Sequence, residues 1–210
     1  NLFNQHYSRL LSSFEDIKVT TDRLEENISK SEAVAHVIQI QNQREDKDII
    51  SEEGQRLRRE EDGYFRKNQT DFKALYLFSK IFIDEFVGII SLVLKLEKRG
   101  LSTRTRYGGY SAGVLYHSLE KYSGADTIVL EFKNRCLNRF KAAEVYISEY
   151  RNQHIQHLDT SGKRETKWTL QDMRGNIQFF GSRPSITPKE LGFVVNGLVG
   201  SSTQFIQDNL

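Results

Sequence analysis

The sequence predicts a mainly α fold, a helical bundle with a small β-hairpin late in the chain. Three observations carry that expectation. Apolar residues recur at three- and four-residue steps over most of the 210 residues. There are only 2 prolines, so long stretches run without a helix breaker. Near residues 165–181 the pattern changes to two short runs flanking a glycine turn. The length suits one domain better than two, and 38% hydrophobic with 11% aromatic residues supplies a real core. Residues 1–68 read as N-terminal helices with a charged connecting segment. Residues 69–210 read as the bundle, and the whole is expected to form one compact unit.

The elements follow in order. From Asn4 to Ile17, the residues Tyr7, Leu10, Leu11 and Phe14 form the stripe of an amphipathic helix. Thr20 or Thr21 is placed to cap a second helix, with Glu25 near the capping-box position and a looser stripe reaching Gln41. Charge dominates from Arg44 to Lys67, an exposed helix or connector with Gly54 and Gly63 as candidate breaks. Thr70 or Asp71 then opens a helix to about Lys98, closed by Gly100 and apolar on most of its circumference (Phe72, Leu75, Phe82, Phe86, Ile90). Such a helix belongs at the centre of a bundle. Leu101–Gly113 is a loop, Tyr110–Tyr122 a short helix, and Asp126 begins a long one. Its Val129, Phe132, Cys136, Phe140, Ala143, Ile147 and Tyr150 alternate four- and three-residue steps. Lys167–Gln171 and Asn176–Phe180 read as strands about Arg174-Gly175. Thr187 caps a last helix with Pro188 at its first position.

Composition excludes several classes. The single cysteine, Cys136, rules out an intramolecular disulfide and any cysteine-cluster metal site, and fits a reducing, cytoplasmic location. The most apolar run, Phe86–Leu96, is too short to span a membrane. No secretory leader is visible. Net charge is +2, but it is unevenly spread. Residues 1–94 hold 13 Lys/Arg against 17 Asp/Glu, whereas residues 95–183 hold 16 against 9. A basic second half suits a surface that meets phosphates, though a solvated helical surface with chance imbalance reads the same way.

Chemically capable residues cluster from Arg151 to His157, behind the long helix. Arg151 offers a planar guanidinium that grips phosphate oxygens in bidentate fashion. An imidazole can take a proton from an attacking hydroxyl or return one to a leaving oxygen. Asn152 can donate to an oxyanion. With a ribose 2′-hydroxyl as nucleophile, such a set needs no metal. On an ideal helix Arg151 and His157 lie about 240° apart and converge only if the helix bends or ends between them, or if a second copy supplies the other half. Arg151 and His154 share a face.

Arg151-Asn152 followed by His157, at the end of a long helix in an α-helical domain, resembles the HEPN superfamily. The resemblance implies a helical bundle, a homodimer with facing motifs, and metal-independent endoribonuclease activity without a cofactor. It also implies a setting in toxin–antitoxin or antiviral defence, with RNA as substrate and an antitoxin or defence-complex protein as partner. Arg151 and His157 carry over as catalytic and Asn152 as the accompanying polar residue. His154 is a second candidate histidine. Counted back from His157 at four intervening residues, Asn152 takes the arginine position, the pattern of an inactive member.

Other readings of the same residues stand beside this one. Arg151 can pair with Glu149 or Asp159, and the histidines can sit at a helix C-terminus where imidazolium suits the dipole. His154 and His157 can also chelate zinc, with Asp159 or Glu149 as the nearest further ligands. The alternative function is a non-catalytic helical interaction module. Arg104 and Arg106, in the Leu101–Gly113 loop, are the candidate RNA-backbone contacts. Trp168, Phe179 and Phe180 can stack bases or close the hairpin onto the bundle. His36 and His117 read as packing or surface residues, and His6 lies near a terminus.

Overall fold

The computed structural model describes residues 2–44, 52–149, 167–172, 175–180 and 188–209. The chain is mainly α. Its helices are α1 (Leu2–Arg44), α2 (Glu52–Leu94), α3 (Ala112–Lys121), α4 (Thr127–Ala143) and α5 (Pro188–Asn209). A 3₁₀ turn, Leu96–Arg99, follows α2, and a π-helical segment, Glu144–Glu149, extends α4. The backbones of β1 (Lys167–Asp172) and β2 (Gly175–Phe180) pair antiparallel, Lys167 opposite Phe180 and Asp172 opposite Gly175. Among the described residues no helix is long and apolar enough to cross a membrane.

The chain divides into two units. One draws on Asn1–Ile17, Tyr76–Thr160 and Pro184–Leu210, the other on Lys18–Leu75 and Ser161–Arg183. The expected division between residues 68 and 69 falls inside α2, which is unbroken there. In the second unit the Arg23 guanidinium and the Asn27 amide both reach Asp71, the amide at 3.1 Å. Leu24, Ile28, Leu57, Phe72 and Leu75 are buried in this unit. In the first unit α2 supplies buried Tyr76, Ile83, Val87 and Ile90, and α4 supplies Val129, Phe132, Cys136, Phe140 and Ala143. Leu191, Leu198 and Phe205 of α5 are likewise buried.

Four local expectations are corrected. Thr20 and Thr21 do not cap a second helix, because α1 continues through them and no Gly or Pro interrupts it. Thr70 and Asp71 do not open a helix either. Both lie inside α2, and Asp71, 4% exposed, turns its carboxylate to Arg23 and Asn27 instead of to its own backbone. Gly54 and Gly63 likewise fail to break α2. A glycine costs about 1 kcal/mol in a helix interior, which a long flanking helix tolerates. The helix does end earlier than Lys98: Lys95 takes a left-handed conformation at φ 52°, and the 3₁₀ turn then closes on Gly100 at φ 86°.

The rotation of α1 over residues 4–17 is the fifth correction. Tyr7, Leu11 and Phe14, three of the four stripe residues, are exposed, at 49%, 49% and 55%. The buried side instead carries His6, Ser13, Thr20 and Asn27, which recur every seven residues. Two of these meet carboxylates of α2: His6 Nδ1 lies 2.5 Å from Glu85 Oε2, and Asn27 reaches Asp71. Buried polar groups must be paired, so hydrogen-bonding partners on the facing helix set which side turns inward.

Asp126 caps α4, its Oδ1 accepting from Ile128 N at 3.0 Å and Val129 N at 3.2 Å, while Oδ2 receives Arg99 Nη1 at 2.7 Å. The Arg99 bond, ahead of those backbone bonds, holds the Asp126 carboxyl below its ordinary value of 3.8. A carboxylate depressed in the folded state stabilises it at pH values above the unfolded value. That contribution drains away as pH falls through the lowered folded one. Asp126→Asn is therefore expected to lower the thermal midpoint at neutral pH, with the gap to the parent narrowing below about pH 4. Melting curves across acid pH check this; a gap that does not change with pH would contradict it.

Candidate functional site

The long helix behind the Arg151 segment is held on two sides. Along α4, Val129, Phe132, Cys136, Phe140 and Ala143 are buried. The Phe132 ring meets Phe140 at 5.9 Å and Phe205 of α5 at 5.2 Å between centroids. Ser202 Oγ of α5 lies 3.8 Å from Cys136 Sγ. Burial pushes the Cys136 thiol up to about 11, so it is an inert core residue at neutral pH. On the other side α4 packs against α3.

At Glu144 the helix widens into the π segment that runs to Glu149. Segments of this kind are uncommon and frequently lie at functional sites. The Glu144 carboxylate is tucked against Gly113, in the first turn of α3, where a Cβ would come within 2.5 Å of Oε2. Glu144 Oε2 is buried and has no hydrogen-bond partner among the described residues. A second carboxylate reaches the same helix end: Asp84 of α2 accepts from Ala112 N at 2.9 Å and pairs with the buried Lys80. The first turn of α3 contains no acidic residue of its own. Two carboxylates from other helices thus face its positive dipole end. Nearby, Tyr116 donates its hydroxyl to Glu120 Oε1 at 3.0 Å, a bond that raises its pKa above the ordinary value.

Arg151, Asn152, His154 and His157 lie outside the described residues. What is described is the platform that leads to them, the buried α4 stripe and the π segment ending one residue before Tyr150. Trp168, Phe179 and Phe180 belong to β1 and β2, where the description covers only backbone pairing.

The two loop arginines have different surroundings. Residues 103–111 form a tight hairpin-like loop: Ser111 N bonds Thr103 O at 2.9 Å, Arg104 and Tyr110 form an isolated bridge, and Thr105 N bonds Gly109 O at 2.8 Å. Arg104 is bound into that frame. Its Nε donates to Glu97 Oε1 at 2.9 Å, its Nη2 donates to the Tyr110 hydroxyl, and its guanidinium lies 4.1 Å from the Tyr110 ring centroid. Thr103, and after it Arg104, hold the Glu97 carboxyl below its ordinary value. Arg106 lies at the tip, its guanidinium 4.6 Å from the centroid of Tyr107. Tyr107 is 82% exposed. Its mark in the sequence is the Arg106-Tyr107-Gly108-Gly109 run, a turn signal with an aromatic at its apex.

His117 lies on the surface with its Nδ1 3.8 Å from Glu120 Oε2, whereas His6 is buried. Besides Glu85 it meets the Tyr110 ring edge-on at 4.9 Å, and Gly88 leaves room for it, since a Cβ there would come within 3.0 Å of Nδ1. It is 8% exposed, so it serves packing and not an incoming substrate. Among the described residues no group of three or more His, Cys, Asp or Glu side chains is placed to hold a metal ion.

No family model, curated protein or solved structure matches the chain.

Proposed function

We propose that this chain is a HEPN-like, metal-independent endoribonuclease, a cytoplasmic effector of toxin–antitoxin or antiviral type that cuts RNA by 2′-hydroxyl attack. The observation that carries the reading is the Arg151-Asn152…His157 set, placed directly after α4 and its π segment in a helical bundle. In the proposed reaction the imidazole of His157 removes the proton of the 2′-hydroxyl or protonates the leaving 5′-oxygen. Arg151 holds the scissile phosphate, and Asn152 or His154 assists. The 2′-oxygen bonds to phosphorus and the P–O5′ bond breaks, leaving a 2′,3′-cyclic phosphate and a free 5′-hydroxyl. A homodimer supplies two motifs to one groove, and an antitoxin or defence-complex protein is the proposed partner.

The test is incubation of the full chain with RNA in EDTA beside Arg151→Ala. The parent is expected to cut and the variant to be severely slowed. Intact RNA with the parent, or equal cutting by both, overturns the assignment. A second reading, a non-catalytic interaction module, is favoured by the outward-facing Tyr7, Leu11 and Phe14 of α1. Apolar side chains gathered on one exposed helix face are a feature of docking surfaces.

A further inference from the structure

We propose that the tip of the 103–111 loop is a single-stranded RNA platform, on which a base stacks on Tyr107 while Arg106 meets the adjacent phosphate. The inference rests on the RNA-directed reading above and names the form of RNA the chain engages.

The mount is rigid. Arg104 ties the loop to Glu97 and Tyr110, Thr103 is buried and bonded to Ser91 at 3.2 Å, and Tyr107 N donates to Thr105 Oγ1 at 3.3 Å. Gly108, at φ 86°, takes the left-handed turn that sets Tyr107 at the apex. A loop backbone held this way gives up little conformational freedom when a ligand arrives. One ring face carries the Arg106 guanidinium, and at 82% exposure the opposite face is open. Among the described residues Arg106 has no carboxylate partner, so its donors remain available to an anion.

The local charge favours a polyanion over an acid-poor protein surface. Between Lys95 and Arg106 there are five basic residues and one acidic one, Glu97. Arg99 and Arg104 are paired with Asp126 and Glu97, which leaves exposed Lys95 and Lys98 in addition to Arg106. Stacking on an aromatic needs an unpaired base with an open π-face, so a single strand fits and a continuous duplex does not.

The experiment measures fluorescence anisotropy of a short labelled 2′-O-methyl single strand, which the proposed chemistry cannot cut, with the full chain in EDTA. Tyr107→Ala is expected to weaken binding about tenfold and Tyr107→Phe to preserve it. Arg106→Ala is expected to weaken binding and to reduce the log–log salt slope by about 0.7. A duplex of the same sequence should compete poorly. Because Tyr107 is exposed, its variants should melt with the parent. Unchanged affinity in Tyr107→Ala, tighter binding of the duplex, or no binding of the single strand overturns the platform. Tyr107-dependent binding by a chain that cuts no RNA sinks only the cleavage reading. Cutting by the parent with Tyr107→Ala binding as tightly sinks only the platform.

Discussion

Replacing His157 with alanine is expected to slow RNA cleavage by about 10²–10⁴-fold, the range that a positioned general acid–base group supplies. Imidazole, present at both His154 and His157, is the one side-chain type of the segment that exchanges a proton near neutral pH without unusual surroundings. Arg151 remains charged throughout that range, and in the proposed reaction its part is confined to the phosphate. Its loss removes charge-assisted contacts that strengthen as negative charge builds on the phosphoryl oxygens, so Arg151→Ala should lower the rate by about 10² or more. The double variant should be little slower than the worse single one, because groups acting on one transition state are not additive. His154→Ala separates the two histidines. A small loss there leaves His157 as the base, whereas a larger loss at His154 than at His157 reverses the assignment. Rates in single-turnover conditions with EDTA are the readout. Melting curves of each variant show whether the fold is intact.

The second large effect is structural. Phe132→Ala is expected to destabilise the chain by about 3–5 kcal/mol, as for buried phenylalanines generally. The side chain is fully buried between the rings of Phe140 and Phe205, where α4 meets α5. Truncation removes the transfer energy of the ring and leaves a cavity that two further aromatic rings cannot close without losing their own contacts. Since a domain is stable by only about 5–15 kcal/mol in total, the loss should appear as a large fall in urea midpoint. Phe132→Leu fills part of the space and should cost less. A loss below about 0.5 kcal/mol for the alanine variant, the value of an ordinary surface change, would show that this contact is not part of the core.

The contrast between α4 and α1 shows what a single sequence discloses. The alternating stripe from Val129 to Ala143 packs as its spacing implies, and Cys136 sits within it, because every inward position there is apolar. On α1 the same reasoning selects Tyr7, Leu11 and Phe14, yet His6, Ser13, Thr20 and Asn27 turn inward. Their rotation depends on Glu85 and Asp71, far away in the chain and without any periodic mark. Asp71 fails as a cap for the same reason, its partners being on another helix. The approach of Glu144 to Gly113 across 31 positions likewise leaves no local trace; only a small residue in the first turn of α3 hints at a close contact. The candidate chemistry runs the other way. Arg151, Asn152, His154 and His157 are legible by residue type and spacing alone, whereas the structure describes the helix and π segment that lead to them. At the 103–111 loop the sequence offers two arginines as equals, and only the bonds of Arg104 to Glu97 and Tyr110 separate a framing residue from an available one.

The chemistry of the cut ends is the most direct test of metal-free attack by the ribose hydroxyl. Full-length chain and RNA are mixed in EDTA and the fragments weighed by mass spectrometry. Fragments ending in a 2′,3′-cyclic phosphate, each followed by one beginning with a 5′-hydroxyl, are the predicted result. Fragments carrying 5′-phosphates, cutting that appears only when a divalent metal is restored, or RNA that stays whole would contradict it.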